Sequence, residues 1–151
     1  MKLTTLCYIE HEDKYLMLHR NKKANDPNHA KWIGIGGKFE KDESPDECLL
    51  REVKEETGLT LTNYTFRGII TFVSDKWETE YMHLFTANAF CGELIDCQEG
   101  ELQWVKKDEV LNLNLWEGDK LFLKKLLEAN DFFTMKLIYQ GEKLVDYTIR
   151  T

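Results

Sequence analysis

The stretch from Gly36 to Leu59 constrains this chain more than any other. Ser44 stands where a helix N-cap belongs, Glu47 follows three residues later as in a capping box, and Pro45 fills the first helical position. Gly58 suits the residue just past a helix end. Together they predict a helix over Pro45–Thr57. On a wheel of 100° per residue with Glu52 at zero, Glu55 falls at about −60° and Glu56 at about +40°. Leu49, Val53 and Leu50 fall at roughly 60°, 100° and 160°. An apolar stripe therefore borders an acidic one.

Three carboxylates in an arc of roughly 100° repel one another, and Glu52–Glu56 is an unfavourable i,i+4 pair. Two arrangements relieve this. The face is fully solvated, or a divalent cation sits among the carboxylates, with hard oxygen ligands favouring Mg²⁺ or Mn²⁺ over zinc. The preceding Gly36-Gly37-Lys38 brings bare backbone and one cation to the same place. Arg51, four residues before Glu55, is spaced to hold that carboxylate.

The remaining chain supplies a scaffold. Its 151 residues suit one domain, 1–151, with no Pro/Gly-rich linker or repeat. Leu3–Ile9 and Tyr15–His19 read as a hairpin across an acidic turn, and Asn21–Lys31 as a polar loop. Arg67–Ser74 and Tyr81–Phe90 read as a second strand pair, and Leu102–Val105 as a short strand. Leu121–Ala129 reads as an amphipathic helix, and Phe133–Tyr139 with Lys143–Ile149 as a closing hairpin. Strands with two main helices predict an α+β fold, an α/β/α sandwich with a mixed β-sheet flanked by helices.

Charge narrows the partners. Twenty basic and 27 acidic residues give a net charge of −7, which disfavours nucleic acid. Cys7, Cys48, Cys91 and Cys97 form no Cys-x-x-Cys pair and read as free thiols in a reducing, cytoplasmic setting. No uncharged run approaches the ~18 residues of a membrane span. The expectation is a cytoplasmic protein, monomer or homodimer, acting on a small molecule.

Gly37, Glu43, Arg51, Glu52, Val53, Glu55, Glu56, Gly58 and Leu59 spell Gly-x5-Glu-x7-Arg-Glu-U-x-Glu-Glu-x-Gly-U, with U a bulky aliphatic residue. A chance match in a chain of this length is on the order of one in ten million at average residue usage. The pattern is the Nudix box, and the chain resembles a Nudix hydrolase, with no departure at any fixed position. The resemblance implies hydrolysis of a nucleoside diphosphate linked to another group, with Mg²⁺ or Mn²⁺. It implies that Glu52, Glu55 and Glu56 face the metal, with a carbonyl of Gly36 or Gly37 as a further ligand. Arg51 would orient a carboxylate and Lys38 would lie near the phosphates. Glu52 is the first choice of general base and Glu99 the second, with Glu101 in the same loop as a fallback.

Outside the box, Trp32, the Trp116-Glu117-Gly118-Asp119 segment and the late strand resemble the MutT-like enzymes that hydrolyse oxidised purine nucleotides. That resemblance implies Trp116 stacked on a purine and Asp119 at its edge, with Trp32 and Ile33 near the base. Ile33 stands where many members carry Asn, and Gly118 where an Asp is usual. The reaction implied is hydrolysis of a nucleoside triphosphate at the β-phosphorus to nucleoside monophosphate and pyrophosphate. The base would be a purine, with 8-oxo-dGTP among the candidates. The alternatives are an ADP-ribose or nucleotide-sugar pyrophosphatase, and a non-catalytic nucleotide-binding regulator on the same fold.

Overall fold

Side-chain alternation decides the middle of the molecule. Strand β1 (Lys2–His11) sends Leu6 and Tyr8 to one face and Cys7 and Ile9 to the other, all buried. Strand β2 (Lys14–His19) does the same with Tyr15 and Met17 against Leu16 and Leu18. Strands apolar on both faces need a cover on each side, and the chain provides one helix for each. The computed structural model describes residues 1–151.

The turn between β1 and β2 is Glu12-Asp13, both at positive φ, as a tight hairpin of the favoured hand requires. After the polar loop come β3 (Trp32–Ile33), β4 (Ile35–Lys38) and helix α1 (Pro45–Thr57). Long strands β5 (Thr60–Ser74) and β6 (Glu80–Cys91) follow, then β7 (Glu101–Lys106), a 3-10 turn at Val110–Asn112 and helix α2 (Glu117–Glu128). Strands β8 (Phe133–Gln140) and β9 (Lys143–Arg150) close the chain. The sheet order is β3-β2-β1-β6-β5-β8-β9, with β4 on β1 and β7 on β2. The pairs β1–β6 and β5–β8 are parallel and the rest antiparallel, so the sheet is mixed. With a helix on each face, this is the expected α+β sandwich.

On one face α1 buries Leu49 and Val53 against Cys7, Ile9, Leu18, Ile35 and Phe85. Leu50, at the far edge of the apolar stripe, stays exposed. On the other face α2 buries Phe122, Leu123 and Leu126 against Tyr8, Ile70, Leu84, Met135 and Leu137. All four cysteines are free thiols. No helix is long and apolar enough to cross a membrane.

Two boundaries differ from the sequence expectation by more than two residues. Strand β5 starts at Thr60 rather than Arg67, because register shifts near Leu61, Asn63 and Phe66 interrupt the period-two signal. Helix α2 starts at Glu117 rather than Leu121. Gly118 and Asp119 are poor helix formers, and tertiary contacts hold them in the first turn: Gly118 N donates to the Tyr139 hydroxyl at 2.7 Å.

Candidate active site

The N-terminus of α1 carries every expected cap. Ser44 Oγ accepts from Glu47 N at 3.1 Å, and Glu47 Oε1 accepts from Ser44 N at 2.9 Å. Gly58 closes the helix in the left-handed region at φ 81°. The caps fix the ends of α1, and the burial of Leu49 and Val53 against the sheet fixes its rotation and with it the direction of Glu52 and Glu56. Both carboxylates line a cleft of about 490 Å³ across the sheet edge from β4 to the start of α2.

Arg51 organises the acidic face. Its Nε and Nη2 grip Glu43 at 2.6 and 3.0 Å, Nη1 donates to Glu52 Oε1 at 2.8 Å and to Glu55 Oε2 at 3.2 Å, and Nη2 also reaches the Lys38 carbonyl at 2.9 Å. Its main partner is Glu43 rather than the expected Glu55, because the fork of the guanidinium matches one carboxylate bidentately. The Arg51 bonds and the Glu40 backbone lower the Glu43 carboxyl to a pKa of about 2. Arg51 therefore ties the loop before α1 to the carboxylate face.

The carboxylates of that face stand in different surroundings. Burial raises Glu52, and the Arg51 bond opposes the rise. Glu56 is raised to about 8, first by burial and then by the charge of Glu52, and its Oε2 is buried with no hydrogen-bond partner. Glu55 is turned to the rim: its side chain is 57% exposed, it points at Arg51, and it does not line the cleft. As the side chains stand, no three His, Cys, Asp or Glu residues converge as a cation site. The donor set nevertheless fits a hard divalent cation. An orphaned, buried carboxylate oxygen on Glu56 lies in the same cleft as Glu52, Gly36 and Gly37. A Cβ at residue 37 would sit 2.5 Å from the Glu52 carboxyl, so only glycine lets that carboxylate lie against β4. The Gly37 carbonyl also accepts a weak bond from Cys48 Sγ at 3.7 Å.

Lys38 and Ile33 line the same cleft. Glu99 lines it too, but both of its oxygens are held, by Arg20 Nη2 at 3.1 Å and Lys23 Nζ at 2.9 Å. Glu101 lies on β7, accepts from Asn21 Nδ2 at 3.1 Å, and is not on the cleft wall. Arg20 was not evident from sequence. It sits just past the end of β2 in a polar loop, with nothing local to mark it.

At its other end the cleft turns aromatic. Trp116, Trp77, Phe72 and Met82 line it, with Asp119, Glu80 and Asn28. Trp116 is held at its edge, where Nε1 donates to Asn28 Oδ1 at 2.7 Å, and Trp77 meets it edge-on at 6.2 Å. Asp119 is buried in the first turn of α2 and not in a loop before it. Burial, then the charge of Glu80, raises its pKa to about 7. Trp32, expected near the base, instead stacks face to face on His19 at 4.3 Å and does not line the cleft. Its place on β3, paired with β2, turns it to that neighbour. Residue 118 is tightly enclosed where MutT-like sequences usually carry Asp: a Cβ there would meet the Leu137 side chain at 2.6 Å and the Tyr139 hydroxyl at 2.7 Å, so both would have to shift.

Comparison with known proteins agrees with this architecture. The NUDIX domain family model matches residues 2–126. Over 99% of this chain and 94% of its own length, YvcI of Bacillus subtilis, an uncharacterized Nudix hydrolase, is 28% identical. The oxidized purine nucleoside triphosphate hydrolase of Danio rerio is 31% identical, covering 87% of this chain and 83% of its own. The crystal structure of a mutator MutT protein from Bacillus halodurans superposes with a TM-score of 0.89 at 30% identity, covering 99% of this chain and 97% of that one. With an intact box at the cleft and a family match running from β1 into α2, the chain belongs to the Nudix hydrolase family and is MutT-like.

Proposed function

We propose that this Nudix hydrolase acts as a divalent-metal-dependent nucleoside triphosphate diphosphatase on a purine nucleotide, with oxidised purines such as 8-oxo-dGTP as the preferred class. The observation that carries this reading is the polarity of the cleft. One end gathers carboxylates, glycine backbone, Arg20 and Lys38, and the other gathers aromatic rings around a buried acid. A nucleoside triphosphate has the same two-ended character, an anionic chain and a flat polar ring. The Danio rerio relative, named for oxidized purine nucleoside triphosphates, supports the purine class. Within this reading the whole chain, 1–151, works as one domain.

Glu52 and Glu56, the Gly36 or Gly37 carbonyl, and Glu55 from the rim would hold the cation, Mg²⁺ or Mn²⁺. When bound, such an ion neutralises phosphate charge and lowers the pKa of a water. The protein's own groups do the rest. Arg51 acts as a positioning residue: it occupies Glu52 Oε1 and leaves Oε2 to take the proton of the attacking water. Glu99 is the weaker choice of base, because Arg20 and Lys23 occupy both of its oxygens. Lys38 and Arg20 bind phosphate oxygens and draw off charge as the β-phosphorus is attacked. Trp116 offers a stacking surface worth about 1–3 kcal/mol per base. Asp119, which titrates near neutrality, either donates or accepts at the edge of the purine.

A product-resolved hydrolysis panel tests the reading, run with and without Mg²⁺ on dGTP, 8-oxo-dGTP, the other nucleoside triphosphates and ADP-ribose. The expected result is metal-dependent release of nucleoside monophosphate and pyrophosphate, with kcat/KM highest for an oxidised purine. Preferred cleavage of ADP-ribose would reject the substrate assignment. No turnover of any member would turn the reading toward a nucleotide-binding regulator.

A further inference from the structure

Helix α2 begins at the cleft and ends at a second cavity, of about 340 Å³. The wall of that cavity includes Arg67 of β5, Thr86 and Asn88 of β6, Lys107 just after β7, and Asn130 just after α2. Arg67 is 5% exposed. Its Nη2 donates to the Ala129 carbonyl at the end of α2, its Nη1 reaches Thr86 Oγ1 at 3.5 Å, and its Nε has no partner. No carboxylate answers this guanidinium. The one acid on the wall, Glu10, is already bonded to Lys107 Nζ.

The charges around Arg67 do not balance. A helix C-terminus supplies roughly half a negative charge, which offsets only part of the guanidinium. A buried cation lacking a counter-ion is costly, and an arginine carries five donors in a planar fork shaped for an oxyanion. Two cations and one acid leave the cavity wall net positive in a chain whose overall charge is −7. Thr65, Thr86, Asn88 and Asn130 line the same wall, with Asn88 Oδ1 accepting from Asn63 Nδ2 at 2.7 Å, and hydroxyl and amide donors complete the shell of a small oxyanion rather than an apolar ligand.

We propose that this second cavity binds a small phosphoryl oxyanion, held by Arg67 and Lys107 with Thr86 and Asn88 as neutral partners. The site stands apart from the nucleotide cleft and does not rest on the assignment of a substrate. Free phosphate, pyrophosphate and a phosphomonoester group share the required chemistry.

The test is residue-resolved NMR of the full chain, titrated with orthophosphate at constant ionic strength. Parallel titrations use pyrophosphate and a nucleoside monophosphate, to separate free phosphate from a phosphate carried on a larger molecule. The expected result is a saturable shift of the Arg67 Nε–H and of the Thr86 and Asn88 amides. Lys107→Gln weakens binding about tenfold, the value of one charge-assisted hydrogen bond, and Arg67→Gln abolishes it. Arg67 is buried and its substitution endangers folding, so Lys107→Gln and Thr86→Val, both weaker binders on this proposal, carry the decision. Shifts confined to the cleft, a linear drift without saturation, or unchanged affinity in both of those variants would overturn it.

Discussion

Helices α1 and α2 serve the same cleft in opposite ways. The start of α1 is written locally: a capping box, a proline at its first position, and a left-handed glycine at its end. The start of α2 is not. Its N-cap is Trp116, which makes no capping bond with its side chain, and its first turn contains a glycine and a buried aspartic acid. Contacts from far along the chain hold that turn, from Asn28 to Trp116 and from Tyr139 to Gly118. The comparison teaches a division of labour. The acidic face sits on a helix whose ends are set locally, and the aromatic end sits on a helix whose start is set by remote contacts.

The largest expected effect comes from the α1 side. Glu56→Gln removes the buried carboxylate at the candidate metal end, and steady-state turnover at saturating Mg²⁺ should fall by more than about a hundredfold. Without metal the variant should be at least as stable as the parent, since Glu56 Oε2 is buried without a partner. Adding Mg²⁺ should raise the melting temperature of the parent and leave that of the variant nearly unmoved. Retained turnover would remove Glu56 from the metal site.

On the α2 side, Gly118→Ala should destabilise the fold by about 1–3 kcal/mol, because its Cβ would meet Leu137 and the Tyr139 hydroxyl. Urea unfolding reads this directly, and an unchanged midpoint would show that α2 has slack at its start. The matching cut on α1, Ser44→Ala, removes one capping bond and should cost about 1 kcal/mol. The contrast sharpens if Gly118→Ala also raises KM for the nucleotide while Ser44→Ala leaves it alone.

The last effect is one of pH. Asp119 is raised from its ordinary 3.8 to about 7 by burial and the charge of Glu80. Between those values the folded chain holds a proton that the unfolded chain has released. The Asp119 contribution to stability should therefore fall as pH rises through that window and level off above about 7, while Glu56, raised to about 8, carries the fall slightly further. Asp119→Asn cannot ionise, so the stability difference between parent and variant should change across the window. A difference that stays flat from pH 4 to 7 would show that Asp119 is not desolvated.

Which parts were legible in the sequence follows from the range of the forces involved. The hairpins, the α1 boundaries and the acidic face were readable because turn chemistry, caps and a 100° step act within a few residues. Bulges hide the beginning of β5, and strand pairing with β2 turns Trp32 to His19, a contact no local signal announces. Arg20 and Asn28 carry no local mark, and only the loop's fold brings them to the cleft.

Spacing along one short segment is enough to specify the family, the capped helix and the line of glutamates. Remote packing sets which of those glutamates face the cleft, which aromatic rings line its far end, and how tightly Leu137 and Tyr139 enclose residue 118. Burial and distance between segments remote in the chain set those outcomes, because desolvation and close packing act only once the sheet has brought the segments together.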